Sequence, residues 1–326
     1  MKRVFIDGQE GTTGLKISSR LQAREDIEIL VIDKELRKNM AARLDCINRA
    51  DVTFLCLPDY ASKEIAALAP KDKKIIDAST AHRTDEAWVY GFPEIDGLRR
   101  EQIRNSCRVS VPGCHASGFI AIVKPLVDLR LIGEEALLAC TSITGYSGGG
   151  KTMIHEYENN QNADGTEKIA GLFSPGIYGL TQNHKHLPEM KKITGLKNGP
   201  AFLPIVSNYY SGMLVTVPLD QELLKKKISL QELEQLYRNY YENQKMLRVV
   251  GLAEQENKGI LYANRLADRD DMEIMVHGND HKPVISAIYD NLGKGASGAA
   301  IQCMNIMLGI EETTSLVKGS SHEKEY

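Results

Sequence analysis

The sequence predicts an α/β fold, a parallel sheet covered by helices, joined to an α+β domain with a mixed or antiparallel sheet. Three observations predict it. Short apolar segments alternate with helix-like segments over the first third of the chain, at the spacing of β-α-β units. A glycine-rich turn at residues 8–14 joins the first apolar segment to the first helix. Beyond about residue 130, segments rich in β-branched and aromatic residues are separated by longer, Gly-rich or helical connections.

Length and composition fit a two-domain enzyme or binding protein. A chain of 326 residues is long enough for two domains and a large core. A net charge of -3 argues against binding to duplex nucleic acid, which needs a basic stripe. No segment approaches the ~18 apolar residues of a membrane span, and the apolar run at residues 4–6 is too short for a signal peptide. We therefore expect a cytoplasmic protein without a membrane partner.

The expected strands of the first domain are short and mostly apolar. They cover residues 4–6, 27–32, 52–57, 74–78 and 109–111. Helices are expected between them at residues 12–24 and 60–68, and a further helix follows the last strand at residues 116–127. Short apolar strands separated by helices are typical of a parallel sheet buried on both faces.

The second domain has a different pattern of expected strands and helices. Its expected strands are at residues 137–143, 201–206, 212–217, 273–277 and 284–289. An amphipathic helix is expected at residues 229–243, with its leucines and tyrosines facing the core. The last expected helix, residues 297–308, begins in a run of glycine and alanine that permits close approach of another backbone or a ligand.

The first glycine-rich turn predicts a nucleotide site. Gly8, Gly11 and Gly14 follow a strand, and Thr12 and Thr13 open the next helix. This spacing lets the backbone approach a pyrophosphate at the helix N-terminus. A tight turn without a ligand is the alternative interpretation.

The end of the second strand bears on which nucleotide is bound. Asp33 is placed to hold a ribose 2′-hydroxyl, which favours NAD. Lys34, Arg37 and Lys38 follow at once, and such a cluster suits the 2′-phosphate of NADP. We expect NADP(H), with a solvated charged turn as the alternative.

Cys114 is the candidate nucleophile. It follows Pro112-Gly113 where a strand gives way to a helix, and a helix N-terminus favours the thiolate. A buried structural cysteine is the alternative, which is how Cys56 and Cys140 are interpreted from their apolar neighbours. The six cysteines include no C-x-x-C pair, so neither a zinc site nor a disulfide framework is expected.

His184, His186 and Glu189 form the densest acid–base segment. The two histidines at i and i+2 do not share a helical face, so a loop entering a helix at Pro188 is expected. One imidazole can transfer protons while Glu189 fixes its orientation. A metal site is the competing interpretation, but no third ligand at suitable spacing is visible and no metal is expected; a surface loop without a role is another.

Two further segments suit an anion. Ser79 and Arg83 lie after a strand at the carboxyl edge of the first sheet, where ligands of doubly wound folds bind. Ser147 and Lys151 belong to a Gly-rich segment that offers backbone amides and one cation. Each of these, taken alone, is more often a turn than a site.

Together these motifs resemble the N-acetyl-gamma-glutamyl-phosphate reductases of the shorter type, which share a superfamily with the aspartate-semialdehyde dehydrogenases. The resemblance runs over nearly the whole chain. It is carried by residues 8–14, 77–83, 112–114, 144–151, 178–189 and 290–298.

The resemblance implies an NADP-binding Rossmann domain of residues 1–114 and 291–326, with an inserted catalytic and dimerisation domain of residues 115–290. It also implies a homodimer or homotetramer. The implied reaction belongs to arginine biosynthesis: Cys114 attacks N-acetylglutamyl 5-phosphate, a thioester forms, and NADPH reduces it to the semialdehyde.

The resemblance also implies roles for single residues. The segment of His184 and His186 matches the acid–base histidine region of the family, with His186 favoured and His184 as the alternative. Arg83 matches a phosphate-contacting arginine. Asn291 and Gly295 match the segment that closes over the nicotinamide. The chain departs from the family at residue 299, where Ala stands in place of the usual Gln.

Two other functions stay open at this point. One is the same chemistry on another acyl phosphate, such as an aspartyl or a carrier-bound aminoadipyl phosphate. The other is a non-catalytic module that senses NADP(H), which would require neither the thiol nor the histidine segment.

Overall fold

The computed structural model describes residues 1–162, 167–251 and 259–319. The chain forms two compact units. One comprises Met1–Gly113 with Ala296–Leu316, and the other comprises Cys114–Gly295 with the chain from Val317 onward. Cys114, residues 291–295 and residues 317–319, expected in the first domain, thus belong to the second unit. The backbone of Val317 explains part of this difference, because it exchanges hydrogen bonds with Asp270.

The elements are numbered along the chain. The strands are β1 (Lys2–Asp7), β2 (Ile27–Leu30), β3 (Val52–Leu55), β4 (Ile75–Asp77), β5 (Val89–Tyr90), β6 (Arg108–Ser110), β7 (Ala139–Gly145), β8 (Gly176–Ile177), β9 (Ala201–Ser207), β10 (Met213–Pro218), β11 (Leu247–Val250), β12 (Met272–Asn279) and β13 (Lys282–Tyr289). The helices are α1 (Thr12–Gln22), α2 (Met40–Arg49), α3 (Asp59–Leu68), α4 (Arg99–Asn105), α5 (Cys114–Asp128), α6 (Gly150–Glu158), α7 (Leu187–Thr194), α8 (Leu230–Tyr240) and α9 (Gly298–Leu308).

The first unit is built on a parallel sheet, as predicted. Its strand order among the described residues is β2-β1-β3-β4-β6-β5. Alternate residues of β1 enter two separate hydrophobic clusters: Val4 and Ile6 pack with residues of α1 and α9, while Phe5 packs with residues of α2 and α3. The strand order reverses between β1 and β3, which in open α/β sheets marks the ligand-binding crevice.

The second unit is built on a mixed sheet, also as predicted. Its order is β11-β12-β13-β10-β7-β9-β8, with β7 and β9 parallel, β11 and β12 parallel, and the other described pairs antiparallel. Helix α5 packs against β10, β13 and α7, and α8 packs against β12. Within the described ranges, no helix is long and apolar enough to cross a membrane.

Helix α5 contains a proline that is compensated from outside the helix. Pro125 has no N–H, so the carbonyl of Ala121 loses its i+4 donor. The hydroxyl of Tyr241 donates to that carbonyl over 2.7 Å. The helix therefore continues through Pro125 to Asp128. At its other end, Cys114 is its first residue.

Candidate active site

The glycine loop after β1 closes tightly over the end of β3. Gly8 has φ +89, and a Cβ there would lie 2.3 Å from the carbonyl oxygen of Cys56. A Cβ on Gly14 would lie 2.5 Å from the carbonyl oxygen of Gly8. Only glycine fits at both positions, and the loop delivers the N-terminus of α1, from Gly11 and Thr12, to the point where the strand order reverses. This cradle fits a dinucleotide pyrophosphate.

A buried ion pair supports the loop from below. Asp7, the last residue of β1, accepts a hydrogen bond from Nε of Arg43 of α2 at 2.8 Å, and a terminal nitrogen of Arg43 lies 2.7 Å from the same carboxylate oxygen as an ion pair. Burial raises the pKa of the Asp7 carboxyl, and the Arg43 guanidinium offsets part of that rise. Because both side chains are buried, the pair fixes α2 against the end of β1. This pair was not predicted from the sequence.

The candidate 2′-phosphate residues lie after β2. Lys34 opens a short 3-10 turn, and Arg37 follows that turn. The Arg37 guanidinium forms an ion pair with Glu10, which lies inside the glycine loop. The ion pair therefore joins the loop after β2 to the candidate pyrophosphate site.

Ser79 is engaged with a carboxylate at the end of β4. Asp77 accepts from the Ser79 backbone N–H at 3.0 Å and from its hydroxyl at 2.8 Å. The other neighbour of Asp77 is His82, whose Nδ1 lies 2.6 Å from Oδ2 and whose ring stacks on Trp88 at 4.1 Å. The Asp77–His82 pair shapes the turn that carries Ser79 and was not predicted.

Arg83 joins the ends of two neighbouring strands. Its Nε donates to the carbonyl of Val111 at 2.9 Å, and one terminal nitrogen donates to the carbonyl of Ala78 at 3.3 Å. The guanidinium is buried, and Val111 precedes Cys114 by three residues. Arg83 therefore fixes the end of β6 immediately before the chain reaches the candidate nucleophile.

Cys114 is partly exposed, and residues of the second unit contact its backbone and limit the space around its side chain. Its carbonyl accepts from the hydroxyl of Tyr289 at 2.5 Å. A Cβ on Gly295 would lie 3.0 Å from the Cβ of Cys114, so the glycine leaves space beside the candidate nucleophile. The N–H of Gly295 is held by the carbonyl of Asp290 at 3.0 Å.

His115, the next residue, is buried and held at both ring nitrogens. Nδ1 lies 2.6 Å from the hydroxyl oxygen of Ser142, and Nε2 lies 2.6 Å from the hydroxyl oxygen of Tyr178. Burial lowers the pKa of His115 to about 3, with smaller contributions from His184 and Lys185. The imidazole is therefore neutral at physiological pH. This residue and its partners were not singled out from the sequence, although the position of His115 beside Cys114 was a local sign.

Tyr178 binds this histidine and also interacts electrostatically with Cys114. Burial raises the pKa of its phenol, and the negative charge of a Cys114 thiolate raises it further. The phenol thus stays protonated, with a proton available for hydrogen bonding. Its partner His115 is packed among other rings, with centroids 5.5 Å from both His184 and His186.

The structure brings the predicted acid–base residues together at the start of α7. The rings of His184 and His186 lie 4.7 Å apart, and the N–H of His186 donates to Nδ1 of His184 at 3.2 Å. His186 and Glu189 are buried, whereas His184 is partly exposed. A loop entering a helix at this point, as expected, confines two imidazoles beside neutral His115.

Ser147 and Asn291 form one hydrogen-bonded pair. The Asn291 side-chain amide donates to the Ser147 hydroxyl at 3.0 Å and accepts from the Gly212 N–H at 2.8 Å. Both residues are buried, so the Asn291 side chain is used within the second unit. Lys151, the second residue of α6, is exposed.

Two other thiols, those of Cys56 and Cys140, differ from Cys114 in their surroundings. Burial raises the pKa of Cys56 to about 12, and burial also raises the pKa of Cys140. Both are therefore unreactive thiols in the resting protein. Among the residues that the structure describes, no three His, Cys, Asp or Glu side chains are grouped to hold a metal ion.

Comparison with known proteins covers both units. Residues 8–106 match the family profile "Semialdehyde dehydrogenase, NAD binding domain", and residues 114–291 match "Semialdehyde dehydrogenase, dimerisation domain". The chain is 41% identical to N-acetyl-gamma-glutamyl-phosphate reductase 2 of Nostoc sp. over 321 residues, which are 96% of this chain and 99% of that one. It is 40% identical to N-acetyl-gamma-glutamyl-phosphate reductase of Sinorhizobium medicae over 310 residues, 94% of this chain and 98% of that one.

A solved structure shares the fold. Aspartate semialdehyde dehydrogenase II from Vibrio cholerae, complexed with ASA, superposes with a TM-score of 0.68 at 14% identity, covering 95% of this chain and 98% of that one. At this identity the likeness establishes the fold alone, and it agrees with the predicted pairing of a Rossmann domain with a mixed-sheet domain.

Proposed function

The chain belongs to the N-acetyl-gamma-glutamyl-phosphate reductase family, and from this premise we propose that it reduces N-acetyl-L-glutamyl 5-phosphate to N-acetyl-L-glutamate 5-semialdehyde with NADPH in arginine biosynthesis. The observation that carries the proposal is the placement of Cys114 as the first residue of α5, beside the histidine cluster of the same unit. An acyl phosphate is already activated, so the main requirement of the enzyme is a thiolate at neutral pH.

The first step is acyl transfer to Cys114. The thiolate attacks the carbonyl carbon, a C–S bond forms, and the bond between that carbon and the phosphate oxygen breaks with release of inorganic phosphate. The N-terminus of α5 favours the thiolate over the thiol. Arg83, Ser147 and Lys151 are the proposed substrate-binding residues, and the two cations are assigned to the phosphate.

The second step reduces the thioester. NADPH, when bound, supplies the hydride that this step requires. The tetrahedral oxyanion then re-forms a carbonyl, the C–S bond breaks, and Cys114 leaves as the thiolate. The thiolate is thereby regenerated without a further proton, and the proton that the acid–base histidine took from the thiol goes to the phosphate released in the first step.

We assign the acid–base role to His186, supported by Glu189, with His184 as its neighbour. His186 is buried at the start of α7, so its ring has a defined position. His115 is unsuited to the role, because an imidazole with a pKa of about 3 does not carry a proton at neutral pH. Its proposed function is to hold Tyr178 and the surrounding rings.

The proposed cofactor residues fall into two groups. In the first unit, Gly8, Gly11, Thr12, Thr13 and Gly14 receive the pyrophosphate, Lys34 and Arg37 receive the 2′-phosphate, and Ser79 contributes from its Asp77-held turn. In the second unit, Asn291 and Gly295 are assigned to the nicotinamide end, where Gly295 leaves space beside Cys114.

The enzyme is further proposed to be a cytoplasmic homodimer or homotetramer that assembles through its second unit. The match of residues 114–291 to a profile named for dimerisation supports this assignment. Light scattering on the purified protein distinguishes the two sizes, and a monomer at micromolar concentration would contradict both.

The function is tested in the reverse direction. Purified protein is mixed with N-acetylglutamate 5-semialdehyde, phosphate and NADP or NAD, and cofactor reduction is followed. We expect phosphate-dependent reduction of NADP, with a higher kcat/KM than for aspartate semialdehyde or a carrier-bound aminoadipate semialdehyde. Preference for another aldehyde would reassign the substrate, and folded protein that binds NADP without turnover would support a sensor.

A further inference from the structure

A tyrosine hydroxyl is inserted into the first turn of the nucleophile helix. Tyr289, the last residue of β13, is fully buried. Its hydroxyl accepts from the Gly118 N–H at 3.0 Å and donates to the Cys114 carbonyl at 2.5 Å. These two groups are the donor and acceptor that a regular helix joins directly between residues i+4 and i. The hydroxyl therefore bridges the first helical hydrogen bond, at the residue that carries the reactive thiol.

Gly118 is fitted to this arrangement. A Cβ at residue 118 would lie 2.8 Å from the Tyr289 hydroxyl oxygen and 2.6 Å from a methyl carbon of Val215. Any side chain there would have to displace the hydroxyl, the strand side chain or the helix. The small residue in the helix interior, which lowers helix propensity, leaves room for the tyrosine.

Two other buried tyrosines bind the same helix, and they provide the contrast. Tyr241 donates to the carbonyl of Ala121, which Pro125 has deprived of a donor, and Tyr237 donates to the carbonyl of Ile122. Both lie about two turns beyond the nucleophile, and their bonds fix the body of α5. Tyr289 alone among these three binds the peptide of Cys114 itself.

The phenol of Tyr289 stays protonated and can therefore always donate a hydrogen bond. Burial raises its pKa well above the ordinary value, and the Cys114 thiolate charge acts in the same direction, so the hydroxyl keeps its proton. Gly295 lies against the Cβ of Cys114. Tyr289 thus holds the carbonyl of Cys114, and Gly295 leaves space beside the Cys114 side chain.

We propose that Tyr289 is a positioning residue of the thioester chemistry: by holding the Cys114 carbonyl and the Gly118 N–H, it fixes the direction of the Cys114 thiol at the helix N-terminus. This role rests on the function proposed for Cys114. Its physical basis is that a reacting atom displaced by about 1 Å can lose two orders of magnitude in rate. Thiolate stabilisation at a helix N-terminus also depends on the position of the sulfur.

The test compares Tyr289→Phe with Tyr241→Phe. Each variant removes one buried hydroxyl from α5 and retains the ring. Four quantities are measured: the rate of Cys114 alkylation by iodoacetamide against pH, followed on the Cys114 peptide by mass spectrometry; kcat; KM; and the Kd of NADP. Alkylation requires no substrate, so it reports on Tyr289 even if the proposed reaction is wrong.

For Tyr289→Phe we expect an alkylation midpoint at higher pH, a rate at pH 7 lowered about three- to tenfold, and kcat lowered at least about tenfold. KM and the Kd of NADP should stay within about twofold, and Tyr241→Phe should match the wild type in alkylation and kcat. Unchanged alkylation and kcat in Tyr289→Phe would overturn the proposal. Equal losses in both variants would also overturn it, because they would show that any hydroxyl docking α5 has the same effect.

Gly118→Ala provides a second route to the same result. The added methyl competes with the Tyr289 hydroxyl for space while Tyr289 itself stays. If Tyr289→Phe is not recovered in folded form, the alkylation profile of Gly118→Ala decides. A midpoint moved to higher pH supports positioning, and a wild-type profile contradicts it.

Discussion

Nε2 of His115 lies 2.6 Å from the hydroxyl oxygen of Tyr178, and this contact joins the residue after Cys114 to the loop that leads to His184 and His186. Since the other ring nitrogen lies 2.6 Å from the Ser142 hydroxyl, both nitrogens are satisfied. A neutral imidazole has one donor and one acceptor, so one hydroxyl donates to it and the other accepts. A charged imidazole would have two donors and no acceptor, and burial disfavours it.

His115 should make the protein less stable in mild acid. Its folded pKa is about 3, whereas the value in the unfolded chain is about 6.5. Between these values the unfolded state binds more protons, so this histidine makes the unfolding free energy fall as pH decreases from about 6.5 toward 3. The slope contributed is up to about 1.4 kcal/mol per pH unit. Urea unfolding at pH 7, 6 and 5 measures it.

The matched variants are His115→Gln and His281→Gln. The first should flatten the dependence of stability on pH below about 6, and the second, at an exposed position, should leave it as in the wild type. A His115→Gln protein with the wild-type slope would contradict the assignment of a neutral, buried imidazole.

The ion pair between Glu10 and Arg37 should lower the affinity for NADP. The Glu10 carboxylate holds the cation that we assign to the 2′-phosphate, so the cofactor has to compete with it. Both side chains are more than a third exposed, and exposed pairs contribute about 0.2–1 kcal/mol. Glu10→Gln should therefore tighten NADP binding by about two- to fivefold and change NAD binding less. Fluorescence titration of both cofactors measures the effect.

Glu35→Gln is the control, because it removes the same charge from the neighbouring 3-10 turn. If both variants tighten NADP binding equally, net charge is the cause and the specific competition is wrong. Weaker binding in Glu10→Gln would show that the carboxylate orients Arg37 for the cofactor.

Asp290 should be essential to the stability of the segment that carries Asn291 and Gly295. Its buried carboxylate accepts hydrogen bonds from the Ser211 hydroxyl and from three backbone N–H groups, those of residues 268, 292 and 293. Hydrogen bonds to a charged group contribute about 1.5–3 kcal/mol each. Asp290→Ala should lower the unfolding free energy by at least about 3 kcal/mol, as measured by urea denaturation.

Asp280→Ala is the comparison, since that exposed carboxylate accepts a backbone hydrogen bond from the N–H of Leu230 at 2.8 Å. Its loss should cost about 1 kcal/mol. Similar losses of unfolding free energy in the two variants would show that the four hydrogen bonds to Asp290 stabilise the protein little more than one such bond.

The two histidines of the α7 loop should differ in their effect on turnover. Replacing buried His186 by Asn should lower kcat by about 10²- to 10⁴-fold, the usual contribution of a general acid–base. Replacing partly exposed His184 by Asn should lower it by less than about tenfold. The reverse order of effects, measured by steady-state assay with both variants folded, would transfer the role to His184.

The fold was largely predictable because its strongest signals are local. Parallel strands buried on both faces are short apolar runs, and the glycine loop requires glycine where a Cβ would meet the Cys56 or Gly8 carbonyl. Helix α2 was not predicted. It buries Arg43, which sequence analysis alone would place on the surface. Arg43 is buried because it pairs with Asp7, which lies 36 residues away in the sequence.

The site divides in the same way. Cys114 and the His184–His186 segment were predicted, because helix placement and residue type are visible in a few consecutive residues. Tyr178, Ser142 and Tyr289 were not assigned roles, because their partners come from distant strands and only the sheet register brings them to α5. Asn291 illustrates the intermediate case: its segment was identified, but its side-chain amide binds Ser147 and Gly212.

In the proposed mechanism, catalysis passes through a thioester on Cys114. The direct measurement mixes enzyme, NADP and N-acetylglutamate 5-semialdehyde without phosphate, follows NADPH for one turnover, and analyses the Cys114 peptide by mass spectrometry. We predict a burst of about one NADPH per subunit and an N-acetylglutamyl group on Cys114, both absent in Cys114→Ser and present in Cys107→Ser. Turnover by Cys114→Ser, or an unmodified Cys114 peptide after a full burst, would rule out the thioester mechanism.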